Sequence, residues 1–126
     1  MIRSLTRVSA AARAGRRAFS APPAPVPHYI LTYQYPPTIL TDRVPHRPGH
    51  VSLAKQHKTS GTLLYAGGLS SPLSPNSDRS VPSSGVFLFN CEKAAEAFIK
   101  EDPYVKEGVV DKETITIQEW ACVVTP

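Results

Sequence analysis

Between His28 and Tyr35 the chain alternates, with Tyr29, Leu31, Tyr33 and Tyr35 set against Ile30, Thr32 and Gln34, and Pro36-Pro37 then ends the run. A period of two predicts a β-strand, and a strand must find partners for its backbone N–H and C=O groups. The candidates lie further along. Thr62 to Ala66 is β-prone and is expected to stop at Gly67-Gly68. Gly85 to Asn90 is short, apolar and bounded, and Glu113 to Val124 mixes β-branched residues with Trp120. Four strands are predicted.

Helices fill the two longer gaps. Pro48 suits an early helical position, because its missing N–H has no intrahelical partner there, so a helix is predicted from Pro48 to about Ser60, with Gly61 as its stop. Cys91 to Glu101 is predicted as a second helix with Asn90 as N-cap and with Ala94, Ala95, Phe98 and Ile99 on one side. The order βαββαβ is the split-βαβ, ferredoxin-like arrangement: an α+β fold whose antiparallel sheet carries both helices on one face. In the last strand Ile115, Ile117, Ala121 and Val123 point one way and Trp120, Cys122 and Val124 the other. The second half of that strand is therefore apolar on both sides, and a homodimer packed sheet to sheet is the expected cover for the open face.

The chain has 126 residues, room for one such domain, and a formal charge of +4. A basic protein invites a nucleic-acid reading, but the positions of the charges argue against it. Arg3, Arg7, Arg13, Arg16 and Arg17 precede the first carboxylate, Asp42, and from residue 28 onward nine Lys and Arg face ten Asp and Glu, a net charge of −1. No nucleic-acid partner is expected. The Arg-rich, Ser-containing, acid-free start resembles a mitochondrial transit peptide, with cleavage before Ser20 in Arg17-Ala18-Phe19-Ser20. A disordered basic tail or a chloroplast peptide are the alternatives. The expected organisation is a transit peptide at 1–19, a Pro-rich spacer at 20–27 and one domain at 28–126, acting in the mitochondrial matrix. No apolar run reaches the ~18 residues of a membrane-spanning helix, so no membrane insertion is expected. Cys91 and Cys122 are too few and too far apart for a disulfide framework or a CxxC site, and read as two buried free thiols. The Ser- and Pro-rich segment Ser70 to Ser84 reads as a loop inserted in the fold, long enough for a lid.

Two positions stand out chemically. At 100° per residue, His50, Leu53, Ala54 and His57 share one face of the first helix while Ser52, Lys55 and Gln56 face away. His50 and His57 lie about 10 Å apart along the helix axis, too far for one metal ion. His46 and His50 have a metal-ligand spacing, but Pro48 and Gly49 intervene, and no metal site is expected. His57 reads as a satisfied, semi-buried histidine. Asp102 follows Phe98 and Ala95 on the inward face of the second helix, at the negative end of the helix dipole, where a carboxylate is mildly unfavourable. It reads equally as a functional carboxylate or as an Asp-Pro stop signal.

Two sequence blocks break that tie by resemblance. Arg47-Pro48-Gly49-His50 followed by Gly61-Thr62-Leu63-Leu64-Tyr65-Ala66-Gly67-Gly68, and Ala94-Ala95 followed by Asp102-Pro103-Tyr104-Val105 and Gly108, are similar to the two signature blocks of the YCII-related family. Gly68 departs from it, standing where many relatives have proline. The resemblance implies a dimeric ferredoxin-like α+β barrel with a small cleft in each protomer that contains His50 and Asp102.

A His–Asp pair can act as an acid/base unit, the carboxylate fixing the imidazole tautomer while the far nitrogen moves a proton. On this reading His50 and Asp102 are catalytic, Arg47 holds an anionic or enolate oxygen, and Tyr104 orients the substrate. The alternative for Arg47 is a solvated surface arginine. There is no Ser, Cys or Lys nucleophile constellation, and Gly67-Gly68 fits no phosphate-loop spacing, which favours cofactor-free proton chemistry on a small phenolic or carbonyl compound. Lyase, dehydrohalogenase or isomerase activity is the expected class, by analogy with family members related to chloro-hydroxyquinol dehydrochlorination. The rival expectation is a non-catalytic ligand-binding or assembly module in mitochondria.

Overall fold

A computed structural model describes residues 25–70 and 81–125. The expected leader, most of the spacer and most of the Ser70–Ser84 loop lie outside the described residues. The elements run β1 (Val26–Gln34), α1 (Ile39–Asp42), α2 (Arg47–Thr59), β2 (Leu63–Leu69), β3 (Ser84–Phe89), α3 (Glu92–Glu101), α4 (Pro103–Lys106) and β4 (Thr116–Cys122), with a 3₁₀ turn at Lys112–Thr114. The strands form one antiparallel sheet in the order β2-β3-β1-β4. This is the split-βαβ, ferredoxin-like α+β fold that the element order predicts.

Register sorts the side chains into two faces. Leu31 lies opposite both Phe87 and Ile117, and this row, with Tyr33 and Phe89, points at the helices. Leu53, Ala95 and Phe98 close over it, all buried, so that the core is one apolar layer between sheet and helices. Phe98 is its hub: its ring packs 5.1 Å from that of Phe87 and 5.6 Å from that of Phe89. On the far face Ile30 lies opposite Leu88 and Gln118, His28 opposite Trp120, and Tyr65 opposite Leu88. Trp120 and Tyr65 are 45% and 74% exposed there.

Several boundaries differ from expectation, each for a physical reason. β1 begins inside the expected spacer, because Val26 and Pro27 pair with Cys122 and Ala121. β2 continues through Gly67 and Gly68 to Leu69, since ladder pairing with Val86, Gly85 and Ser84 outweighs the intrinsic freedom of the two glycines. Asn90 does not cap α3. Its side-chain amide donates to the Gly61 carbonyl at 2.9 Å, tying the start of α3 to the α2–β2 turn, and Cys91 takes the N-cap position without a side-chain bond. Gly61 ends α2 as expected, at φ +86, a conformation that costs a side-chain-bearing residue roughly 1–2 kcal/mol. β4 starts later than expected because Asp111 accepts the Glu113 N–H at 3.0 Å and turns the chain first. Cys91 is half-buried, while Cys122 is buried. The one-turn helices α1 and α4 have no periodicity long enough to be read from sequence.

Candidate active site

The site begins with two local stops. α3 ends because Pro103 holds Asp102 in an extended conformation, φ −71 and ψ 123, so the chain leaves the helix axis there. The same residue opens α4: the Asp102 side chain accepts the Tyr104 backbone N–H at 3.0 Å, and Pro103 occupies the first turn. Asp102, expected to be mildly unfavourable at the end of the second long helix, thus has a helix that it stabilises. The carboxylate is disfavoured at the end of α3 but is the N-cap of α4.

Packing then brings α2 to it. Gly49 lies so close to α4 that a Cβ there would stand 3.0 Å from the Pro103 Cγ. This close approach sets the next residue, His50, against Asp102 across the helix junction. His50 Nδ1 is 2.9 and 3.0 Å from the two Asp102 carboxylate oxygens. A third donor comes from the sheet, where the Tyr33 hydroxyl donates to the same carboxylate at 2.7 Å. Asp102 is fully buried, and three donors from β1, α2 and α4 converge on it. Such convergence compensates the desolvation of a buried acid.

That arrangement fixes the imidazole. A carboxylate only accepts, so the Nδ1 facing it carries the proton, and Nε2 is the free nitrogen. The ring plane is also held. His50 stacks on Tyr104 at a centroid distance of 3.8 Å and an interplanar angle of 2°, and meets Phe87 and Phe98 edge-on at 5.7 and 5.9 Å. Its side chain is 11% exposed. The exposed remainder opens on a cleft of about 550 Å³ between α2 and β2, lined by Arg47, His50, Ala54, Ala66, Phe87 and Tyr104 among others. The cleft exists because the inward positions of β2 after its bulge are small: Ala66 lies opposite Phe87 and Gly68 opposite Gly85, leaving room beneath α2.

The phenols around the site are held neutral. Burial, followed by the charge and hydrogen bond of Asp102, raises the Tyr33 hydroxyl far above its ordinary value, so it remains a donor. Tyr35, which also lines the cleft, is pushed up to about 12, by burial first and by Tyr104 and Asp102 after it, against the opposing pull of Arg43 and Arg47. Burial also raises Tyr104, again opposed by Arg43 and Arg47.

Of the four residues singled out in the sequence, His50 and Asp102 form a hydrogen-bonded pair and Arg47 lines the cleft beside them. Tyr104 is only 2% exposed, and its ring is occupied in stacking on His50, so its first effect is on the imidazole. His57 is half-buried and packs its ring edge against Phe89 and Phe98 at 5.8 and 5.4 Å, the semi-buried placement expected of it. His46 sits at the N-cap of α2, and among the described residues no group of three or more His, Cys, Asp or Glu is placed to hold a metal ion. Sequence reasoning missed Tyr33, Tyr35 and Arg43. Tyr33 is one of three tyrosines, with Tyr29 and Tyr35, in the inward row that β1 begins, so its hydroxyl stood out from no neighbour, and Arg43 precedes Arg47 by four residues.

The two signature blocks thus meet in space, and the YCII-related domain matches the chain over residues 27–121. This protein belongs to the YCII-related family. No curated protein matches the chain. Among solved structures it is similar to the 5-chloro-2-hydroxyhydroquinone dehydrochlorinase of Burkholderia phenoliruptrix in complex with 2,5-dihydroxybenzoquinone. The TM-score is 0.58 at 15% identity, over 74% of this chain and 92% of that one. At that identity the likeness is one of fold.

Tyr33→Phe removes one donor from a buried carboxylate and is expected to lower the unfolding free energy by about 1–3 kcal/mol at neutral pH in urea denaturation. The same variant tests the proton linkage. A phenol whose folded value lies above the unfolded 10.0 stabilises the fold fully below pH 10 and loses that contribution as pH rises beyond it. Stability should therefore fall less steeply above pH 10 in Tyr33→Phe than in the parent, and equal slopes would contradict the assignment.

Proposed function

We propose that this YCII-related protein is a small-molecule enzyme that works by proton transfer, with His50 as the acid/base group and Asp102 as the residue that orients it. One observation carries the reading: a histidine with Nδ1 bound to a buried carboxylate, its ring clamped on three sides and lining a cleft of ligand size. In the proposed reaction Nε2 takes a proton from a hydroxyl or an activated carbon of the substrate, and the electron pair moves into an enolate or phenolate. Expulsion of a leaving group such as halide, or return of the proton at another atom, completes a lyase, dehydrohalogenase or isomerase step. The Asp102 charge stabilises the imidazolium formed on the way, and Arg47 is proposed to hold the developing oxyanion. The structural neighbour is itself a dehydrochlorinase bound to a quinone. That supports the reaction class by analogy of fold.

The test is a panel of chlorinated hydroxyhydroquinones and enolisable carbonyl compounds, followed by halide release and by solvent-deuterium incorporation in NMR spectra. His50→Asn and Asp102→Asn should each lower the rate by about 10²–10⁴-fold. Ala66→Leu, which fills the cleft without touching the pair, should abolish binding. Activity that survives His50→Asn would sink the mechanism.

Two further properties are proposed with it. The outer sheet face, with Trp120, Tyr65 and Leu88, is proposed to be buried in a homodimer, because Trp120 and Tyr65 leave large apolar surface in water there. The full chain should sediment as a dimer and Trp120→Glu as a monomer; a monomeric parent would rule the dimer out. The matrix is proposed as its compartment, on the strength of the acid-free leader with five arginines. Isolated mitochondria should import the full chain and should not import one lacking residues 1–19. Equal uptake of the two would count against targeting by the leader.

A further inference from the structure

The charges around the cleft are of one sign. Arg43, Arg47, Lys55 and Lys58 all line it, and among the described residues no Asp or Glu does. Yet carboxylates outnumber Lys and Arg from residue 28 onward. Helix geometry assembles the set: Arg47, Val51, Lys55 and Lys58 follow at spacings of four, four and three along one stripe of α2. Arg43 stands one turn upstream, and its carbonyl accepts the Arg47 N–H at 2.7 Å. Among the described residues no carboxylate forms a salt bridge with any of the four, and the buried Asp102 is engaged by His50 instead.

Folding alone gives little reason for this placement. Like charges one helical turn apart cost a few tenths of a kcal/mol. A cation at the start of α2, whose first turn holds no acid, also opposes the helix dipole. Lys58 in the last turn is favourable to the helix, so the two arginines carry most of the weight. Their charge reaches the aromatic wall, since both pull the Tyr35 and Tyr104 hydroxyls downward against the effect of burial. Between these cations the walls are apolar, supplied by Leu63, Phe87, Ala54 and Ala66.

We propose that the cleft takes its substrate as a small, flat organic acid, with its carboxylate on Arg43 and Arg47 and its body against the apolar walls beside His50. The proposal rests on reading this cleft as the substrate pocket. Guanidinium groups suit the task because their planar forks bind carboxylates through two parallel hydrogen bonds. Lys58 lies eleven residues beyond Arg47, about 16 Å along the helix. At that distance Lys55 and Lys58 draw an anion towards the mouth and do not share its carboxylate. Deprotonation of the substrate by His50 then creates a second negative charge, and Arg47, with its five N–H donors, serves both the carboxylate and that developing oxyanion.

The experiment compares 2,5-dihydroxybenzoate, its primary amide and inorganic phosphate as ligands of the full chain by isothermal titration calorimetry. The acid should bind at least tenfold more tightly than the amide, and R43Q/R47Q should erase the difference, with each single Gln variant reducing it should the double variant misfold. K55Q/K58Q should keep the preference and flatten the salt dependence of the affinity. Acid and amide binding equally, no detectable binding of the acid, or phosphate displacing the acid at equal concentration would each overturn the proposal. Binding is read independently of turnover. Acid preference in a chain that catalyses nothing upholds the anion site and counts against the proton-transfer reading alone.

Discussion

The Asp102 carboxylate is the constraint around which the domain is arranged. It is fully buried, and it accepts from the Tyr33 hydroxyl of β1, the His50 imidazole of α2 and the Tyr104 N–H of α4. Each donor comes from a different element, so the three contacts together fix the sheet, the first long helix and the end of the second relative to one another. An acid with fewer partners at that depth would destabilise the fold by several kcal/mol. The group central to the proposed chemistry is therefore also a fastener of the tertiary structure, and a loss of function on changing it has to be separated from a loss of folding.

Around that carboxylate the aromatic residues act as a clamp. His50 is pressed face to face on Tyr104 and edge-on to Phe87 and Phe98, which leaves the ring little freedom to turn away from Asp102. Restricting the ring serves an acid/base role directly, because a nitrogen already aimed at its proton need not be ordered during reaction. Phe98 links this clamp to the core, since it also touches Phe89 and His57. Core packing and site geometry are in this sense one network.

The cleft owes its existence to what β2 lacks. Beyond its bulge the inward positions are Ala66 and Gly68, and the space that larger side chains would fill lies open beneath α2. The solvent-facing stripe of the same helix supplies the cations along its rim. A single helix thus contributes Leu53 to the core, His50 to the paired site and Arg47 to the entrance, by the ordinary 3.6-residue period.

Much of this was legible in the sequence, and the boundary has physical causes. Alternation in β1, the Pro48 start and Gly61 stop of α2, and the apolar stripe of α3 are local signals, and they determined the βαββαβ order because backbone preference and periodicity act over a few residues. The inward placement of His50 followed from the same period. Features that depend on elements far apart in sequence were decided by tertiary structure: Tyr33 reaching across 69 residues to Asp102, Asn90 holding the α2–β2 turn in place of capping its own helix, and β2 carrying on through its glycines because β3 is there to pair with it. Asp102 shows the division in one residue. The sequence by itself determined that a carboxylate stands before a proline at the end of an apolar helix. Only the folded chain decided that it caps the next helix and gathers three donors, because a side chain's partners are set by the packing of whole elements.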